Sequence, residues 1–185
     1  MDGFAPLQHA LENTFTSLSV FSDIDWSTIF KEYLASHEER PTDVEEFTFN
    51  FPFYLQQKSL EGDCPSYLFE LAYVELAQSQ ILSSEISVSS KKGIHLNPTA
   101  TFLNLEFDIL KMLNEATRGS VQVLPRHHVL CMFRDPDSGL NHLEINQARL
   151  DILQSLENGP RGKQELGQTE TVDELLKLGL ILEVS

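Results

Sequence analysis

Three histidines close together in sequence, His127, His128 and His142, invite a metal centre. The segments around them read as two strands, 126–134 and 140–146, flanking a tight polar turn at 135–139. Adjacent strand residues point to opposite faces, which separates His127 from His128. If the turn pairs Arg134 with Leu140, His142 stands opposite Met132, away from both. Cys131 falls in mid-strand, where a cysteine is more often a small core residue than a nucleophile. The turn opens like a calcium loop with Asp135 and Asp137, but Gly139 replaces a required Asp or Asn and Leu140 replaces the required glycine. GPRGKQ (159–164) resembles a phosphate loop only at Gly162-Lys163. Glu157 occupies the place of its first glycine and Gln164 that of its Ser or Thr, so it reads as a turn between helices. No GxSxG, HExxH or CxxC occurs. The residues predict no catalysis and no metal or cofactor in this chain alone.

Composition narrows the partners. The 185 residues are 41% hydrophobic and 22% charged, as in an ordinary globular protein, but the net charge is −15. Residues 1–90 carry three basic against fifteen acidic side chains, net −12. Such a half repels phosphate backbones and anionic membranes and suits a basic protein or peptide; solubility alone is the alternative. The two cysteines, Cys64 and Cys131, lie far apart, which fits a reducing compartment. The segment MDGFAPLQHALENTF has no positive n-region and no apolar core, and no run is long enough to cross a membrane. A cytoplasmic location is expected.

The elements that must hold these residues begin with an amphipathic helix over 6–20, with Leu7, Leu11, Phe15 and Leu18 at helical spacing. Asp25 can cap a second helix whose stripe is Trp26, Ile29, Phe30, Tyr33 and Leu34. HEERPTDVEE (37–46) breaks it, and FTFNFPFYLQQ (47–57) predicts a helix entered through Pro52, followed by a polar loop, KSLEGD. The strongest helix signal is 65–81, apolar on nearly every side and therefore central. Glu75 falls among Leu68, Leu71 and Ala72 on that helix. Buried there, it needs a hydrogen bond or an ion pair, or else it contacts another subunit. A possible strand at 102–105 and a short helix come next. Six basic residues against three acidic ones make 91–134 the single locally basic region. Arg118 and Arg126 within it join Glu75 as candidate partner contacts, with a solvated surface as the alternative.

After the hairpin come a helix at 147–159, a second helical stretch at 171–179 and an apolar strand, LILEV (180–184). The sequence thus predicts an α+β, mainly α protein. It comprises a helical N-terminal bundle (1–90), a connecting segment (91–125) and a small winged-helix-like domain with a β-hairpin (126–185). A helix–turn–helix with a β-element is a nucleic-acid-binding pattern. The charge opposes that use, because residues 146–185 hold four basic against seven acidic side chains and cannot neutralise phosphates. A winged-helix DNA-binding regulator therefore remains only as the alternative. The surface left for recognition is a strand edge, where a peptide adds as a further strand. The candidate edge residues are Val129, Leu130, Cys131, Met132, Phe133 and Arg134; an ordinary core strand is the competing reading.

FPFYLQQ (51–57) and then CPSYLFELAYVELAQSQ (64–80) resemble the pattern FPxFL…LPxLAxLExA of the HvfC-like family. LNPTATFLNLEFDILKML (96–113) and the hairpin followed by INQARLDILQSLENG (145–159) continue that pattern in order. The similarity covers roughly residues 5–160 and is greatest to the branch that acts in methanobactin biosynthesis. It implies a non-catalytic subunit in a heterodimer with a TIM-barrel multinuclear-iron enzyme. Such a pair binds the leader of a ribosomal precursor peptide and uses oxygen to convert cysteines into oxazolone–thioamide groups. By the same resemblance the iron belongs to the partner; the acidic charge, for its part, implies binding to neither nucleic acid nor membrane.

Overall fold

The computed structural model describes residues 5–20, 25–37, 43–116, 122–135, 139–167 and 169–184. The fold is α+β and mainly α. It divides into two compact units, Met1–Ser79 with Leu105–His127, and Gln80–Asn104 with His128–Ser185. The expected linear division at residues 90 and 125 is thereby replaced: the segment 91–125 is shared between the units instead of linking them.

In the first unit α1 spans Ala5–Thr14, and a 3-10 helix spans Thr16–Val20. The expected single helix breaks at Phe15, yet Leu7, Leu11, Phe15 and Leu18 are all buried as their spacing requires. Helix α2, Trp26–Ala35, starts where predicted: Asp25 accepts from the Thr28 amide at 3.2 Å and the Thr28 hydroxyl at 2.7 Å. Helix α3, Val44–Glu61, is longer than predicted, and Pro52 lies in its interior rather than at its entrance. Asp43 explains the early start, since its carboxylate accepts from the amides of Glu45 and Glu46 at 2.9 and 3.1 Å. A proline inside a helix removes one i→i−4 hydrogen bond. Burial of Phe47, Phe51, Pro52 and Leu55 on one side offsets that loss. Gly62, at φ 84°, ends α3 in the left-handed conformation that favours glycine.

Phe51, fully buried, is the centre of this core, with ring centroids 4.9 Å from Phe15, 5.3 Å from Phe30 and 5.1 Å from Tyr33. The Tyr33 hydroxyl donates to the Phe47 carbonyl at 2.7 Å, satisfying the polar end of a buried ring. Helix α4, Tyr67–Ser83, is the predicted central helix, and α5 spans Ile109–Ala116.

Two antiparallel sheets complete the chain. Strand β1 (Gly93–Leu96) pairs with β5 (Ile181–Val184), Gly93 opposite Val184 and Leu96 opposite Ile181. Strands β2 (Thr101–Phe107), β3 (Pro125–Asp135) and β4 (Gly139–Glu144) form a three-stranded sheet in the order β2-β3-β4. Helices α6 (Gln147–Leu156), α7 (Lys163–Leu166) and α8 (Thr169–Leu178) stand between β4 and β5 in the chain. The core of the second unit gathers Phe133, Ile145, Ile152, Leu153, Val172 and Leu175 with Ile94 and Ile181, so hairpin, helices and the β1–β5 pair share one apolar interior. Among the described residues no helix is long and apolar enough to cross a membrane.

Candidate strand-edge site

The hairpin register is the predicted one: Arg134 opposite Leu140, and Met132 opposite His142. The position of β3 in the sheet corrects the expected docking strand. β3 is the middle strand, hydrogen-bonded on one side by β2 and on the other by β4. Arg134 shows how fully its backbone is engaged, because its amide donates to the Thr99 hydroxyl oxygen at 2.8 Å and its carbonyl accepts from the Asn97 side-chain amide at 2.8 Å. The edge formed by Val129, Leu130, Cys131, Met132, Phe133 and Arg134 is therefore not available for an added strand. Both faces are covered as well, with Leu130, Cys131, Met132 and Phe133 each at most 1% exposed.

Among the described residues the open edge lies one strand over, on β4, the end strand of the sheet. The Ile145 amide donates to the Val129 carbonyl at 2.9 Å, which makes 145 and 129 a hydrogen-bonded pair. In an antiparallel ladder such pairs alternate, so the backbone groups of Leu140, His142 and Glu144 face away from β3. The His142 and Glu144 side chains are exposed, and Leu143 packs against the core of the second unit. Arg149 of α6 fixes the far end of this edge. Its Nη1 donates to the Glu144 carbonyl at 2.6 Å and its Nη2 to Glu174 of α8 at 2.7 Å. Asn146 starts α6 by accepting from the Arg149 amide at 3.0 Å, so cap and guanidinium hold β4 to the helix that follows.

The other strand edges are less open. The Glu70 carboxylate accepts from the amides of Glu106 and Phe107 on β2 at 2.9 and 3.1 Å. β1 is closed opposite β5 by Arg161, whose carbonyl accepts from the Ile94 amide at 2.8 Å. β5 pairs only with β1 among the described strands, but it is four residues long against six for β4.

The remaining sequence candidates are placed separately. Glu75 is 5% exposed; its Oε1 accepts from the Ser17 amide at 2.7 Å and the Thr16 hydroxyl at 3.3 Å, while Oε2 has no partner among the described residues. Burial pushes its carboxyl above the ordinary range against those hydrogen bonds. Arg126 is exposed and pairs with Asp108 at 3.2 Å. Arg118 lies outside the described residues. Burial pushes the Cys131 thiol up to about 12, which suits an inert core residue. Cys64 is half-buried, and burial raises its thiol too. Among the described residues no group of three or more His, Cys, Asp and Glu is placed to hold a metal ion.

Sequence reasoning missed Asn97, which is 1% exposed and whose side chain makes four hydrogen bonds. The Asn97-Pro98 pair is a turn signal that could have found it. Nothing local could have revealed the β1–β5 pairing. The chain matches no family model and no curated protein.

Proposed function

We propose that this chain is the non-catalytic subunit of a heterodimeric, iron- and oxygen-dependent peptide-modifying enzyme of the methanobactin-biosynthesis kind. Its second unit, winged-helix-like in the order hairpin, helices and closing strand, holds the leader of a ribosomal precursor peptide. The TIM-barrel multinuclear-iron partner then converts cysteines of that precursor into oxazolone–thioamide groups. The observation that carries the reading is the β4 edge: outward backbone groups at Leu140 and His142 beside an exposed histidine, in a chain of net charge −15. Main-chain hydrogen bonds along such an edge supply affinity for an extended peptide, and alternate side chains supply selectivity. The acidic balance favours a basic leader. The motif resemblance across residues 5–160 supplies the enzyme class.

The test is a titration of a fluorescent leader peptide against the chain and against its His142→Pro variant. Wild-type binding that falls about tenfold or more in the variant fits strand addition, in which one interstrand hydrogen bond is lost and the ring collides with the added strand. Equal affinities would rule out the β4 edge. Steeply salt-dependent binding to random duplex DNA, with no peptide binding, would replace the reading with a DNA-binding regulator.

A further inference from the structure

Helix α3 of the first unit turns two aromatic side chains outward: Phe49 is 45% and Phe53 46% exposed. Their rings stand 5.8 Å apart, and Phe53 meets Tyr73 of α4 edge-on at 5.4 Å, with Phe69 6.3 Å beyond. Leu60, two turns further along the same side of α3, is 80% exposed. Four rings in one contiguous, partly exposed group are the residue types that anchor protein interfaces.

The charge around this face has one sign. Glu45 and Glu46 precede Phe49 by four and three positions and are exposed on the neighbouring turn. Glu61 follows Leu60. The single cation in the sequences of α3 and α4 is Lys58, which is engaged with Asp63 at 3.1 Å and Glu32 at 3.4 Å. A second copy of a chain carrying −15 is a poor occupant, because the same negative rim would face itself.

We infer that Phe49, Phe53 and Tyr73 form the docking face for a different protein, one that presents an apolar patch bordered by Lys and Arg. Resting on the functional reading above, that protein is the iron-enzyme subunit. Phe49 and Phe53 fill its apolar patch, and Glu45 and Glu46 meet its basic rim. The leader-binding edge belongs to other residues, so the two functions separate by mutation.

The experiment mixes the purified full chain with the purified iron enzyme and measures affinity and association rate, with leader binding measured in parallel. Phe49→Ser with Phe53→Ser should weaken the heterodimer on the order of a hundredfold and leave leader affinity unchanged. Glu45→Gln with Glu46→Gln, which touches no buried atom, should slow association several-fold at low salt and flatten its salt dependence. Wild-type heterodimer affinity in both double variants would overturn the docking face while leaving the functional reading standing. Failure of the wild-type chain to bind the iron enzyme would overturn the reading and this inference with it.

Discussion

The Asn97 side chain donates a 2.8 Å hydrogen bond to the carbonyl of Gly179, joining the turn after β1 to the turn before β5 across 82 positions of sequence. The same amide nitrogen donates to the Arg134 carbonyl at 2.8 Å, and its oxygen accepts from the Thr99 amide and hydroxyl at 2.9 and 2.7 Å. Every polar atom of this buried side chain is satisfied, and three chain segments depend on it. Gly179, at φ 77°, takes the left-handed conformation that presents its carbonyl to the amide.

Asn97→Ala should therefore destabilise the protein by about 2–4 kcal/mol, since it removes the side chain and strands buried backbone groups. Asn97→Asp should be worse, because a carboxylate would face two carbonyl oxygens. Urea unfolding monitored by circular dichroism measures both.

Glu75 predicts a pH dependence. Burial raises its carboxyl in the folded state, so between the ordinary carboxylate value and the raised one the folded chain holds more protons than the unfolded chain. Stability then falls as pH rises through that window. Glu75→Gln should remove this dependence while an amide oxygen still accepts from Ser17. The variant should be about 1 kcal/mol more stable than wild type above the window. The difference should vanish on acidification below it. Unfolding curves at several pH values check the sign.

The two thiols should differ in reactivity. Cys131 is fully buried, whereas Cys64 is half-exposed with its Sγ 3.5 Å from the Leu55 carbonyl. A thiol reagent should label Cys64 slowly in the native protein and Cys131 only after unfolding, read by mass spectrometry. Cys131→Ser should cost about 1–3 kcal/mol by placing an unpaired hydroxyl in the core.

Local signals made much of this legible. The apolar stripe of residues 7–18, the Asp25 cap, the position of the central helix and the hairpin register all follow from spacing and turn chemistry. What failed was decided by longer-range competition. Pro52 reads locally as a helix start, but the Asp43 cap and the burial of Phe47 and Phe51 carry α3 through it. The hairpin alone shows two strands, so the sequence points to β3 as the strand edge. Only the pairing of β2 makes β3 central and moves the open edge to β4. The aromatic run 47–53 is legible as part of a helix, but not which of its rings face outward. In FTFNFPF every second residue is aromatic, and only the helical geometry of α3 sorts Phe47 and Phe51 inward from Phe49 and Phe53 outward.

Proline substitutions distinguish the outward from the inward backbone groups of β4. His142→Pro removes an outward N–H and should change stability by less than about 1 kcal/mol, as edge positions tolerate proline. Leu143→Pro removes an inward ladder bond and disturbs the core, so it should cost about 3 kcal/mol or more. Thermal unfolding of the two variants separates these outcomes without any ligand.

The central claim is that this chain enables chemistry performed by another subunit. The most direct measurement is oxygen-dependent loss of cysteine thiols from a precursor peptide, incubated with the iron enzyme alone, with this chain alone, and with both. Conversion only in the combined reaction is the predicted result. Equal conversion by the iron enzyme alone, or none in the combined reaction, would contradict the account.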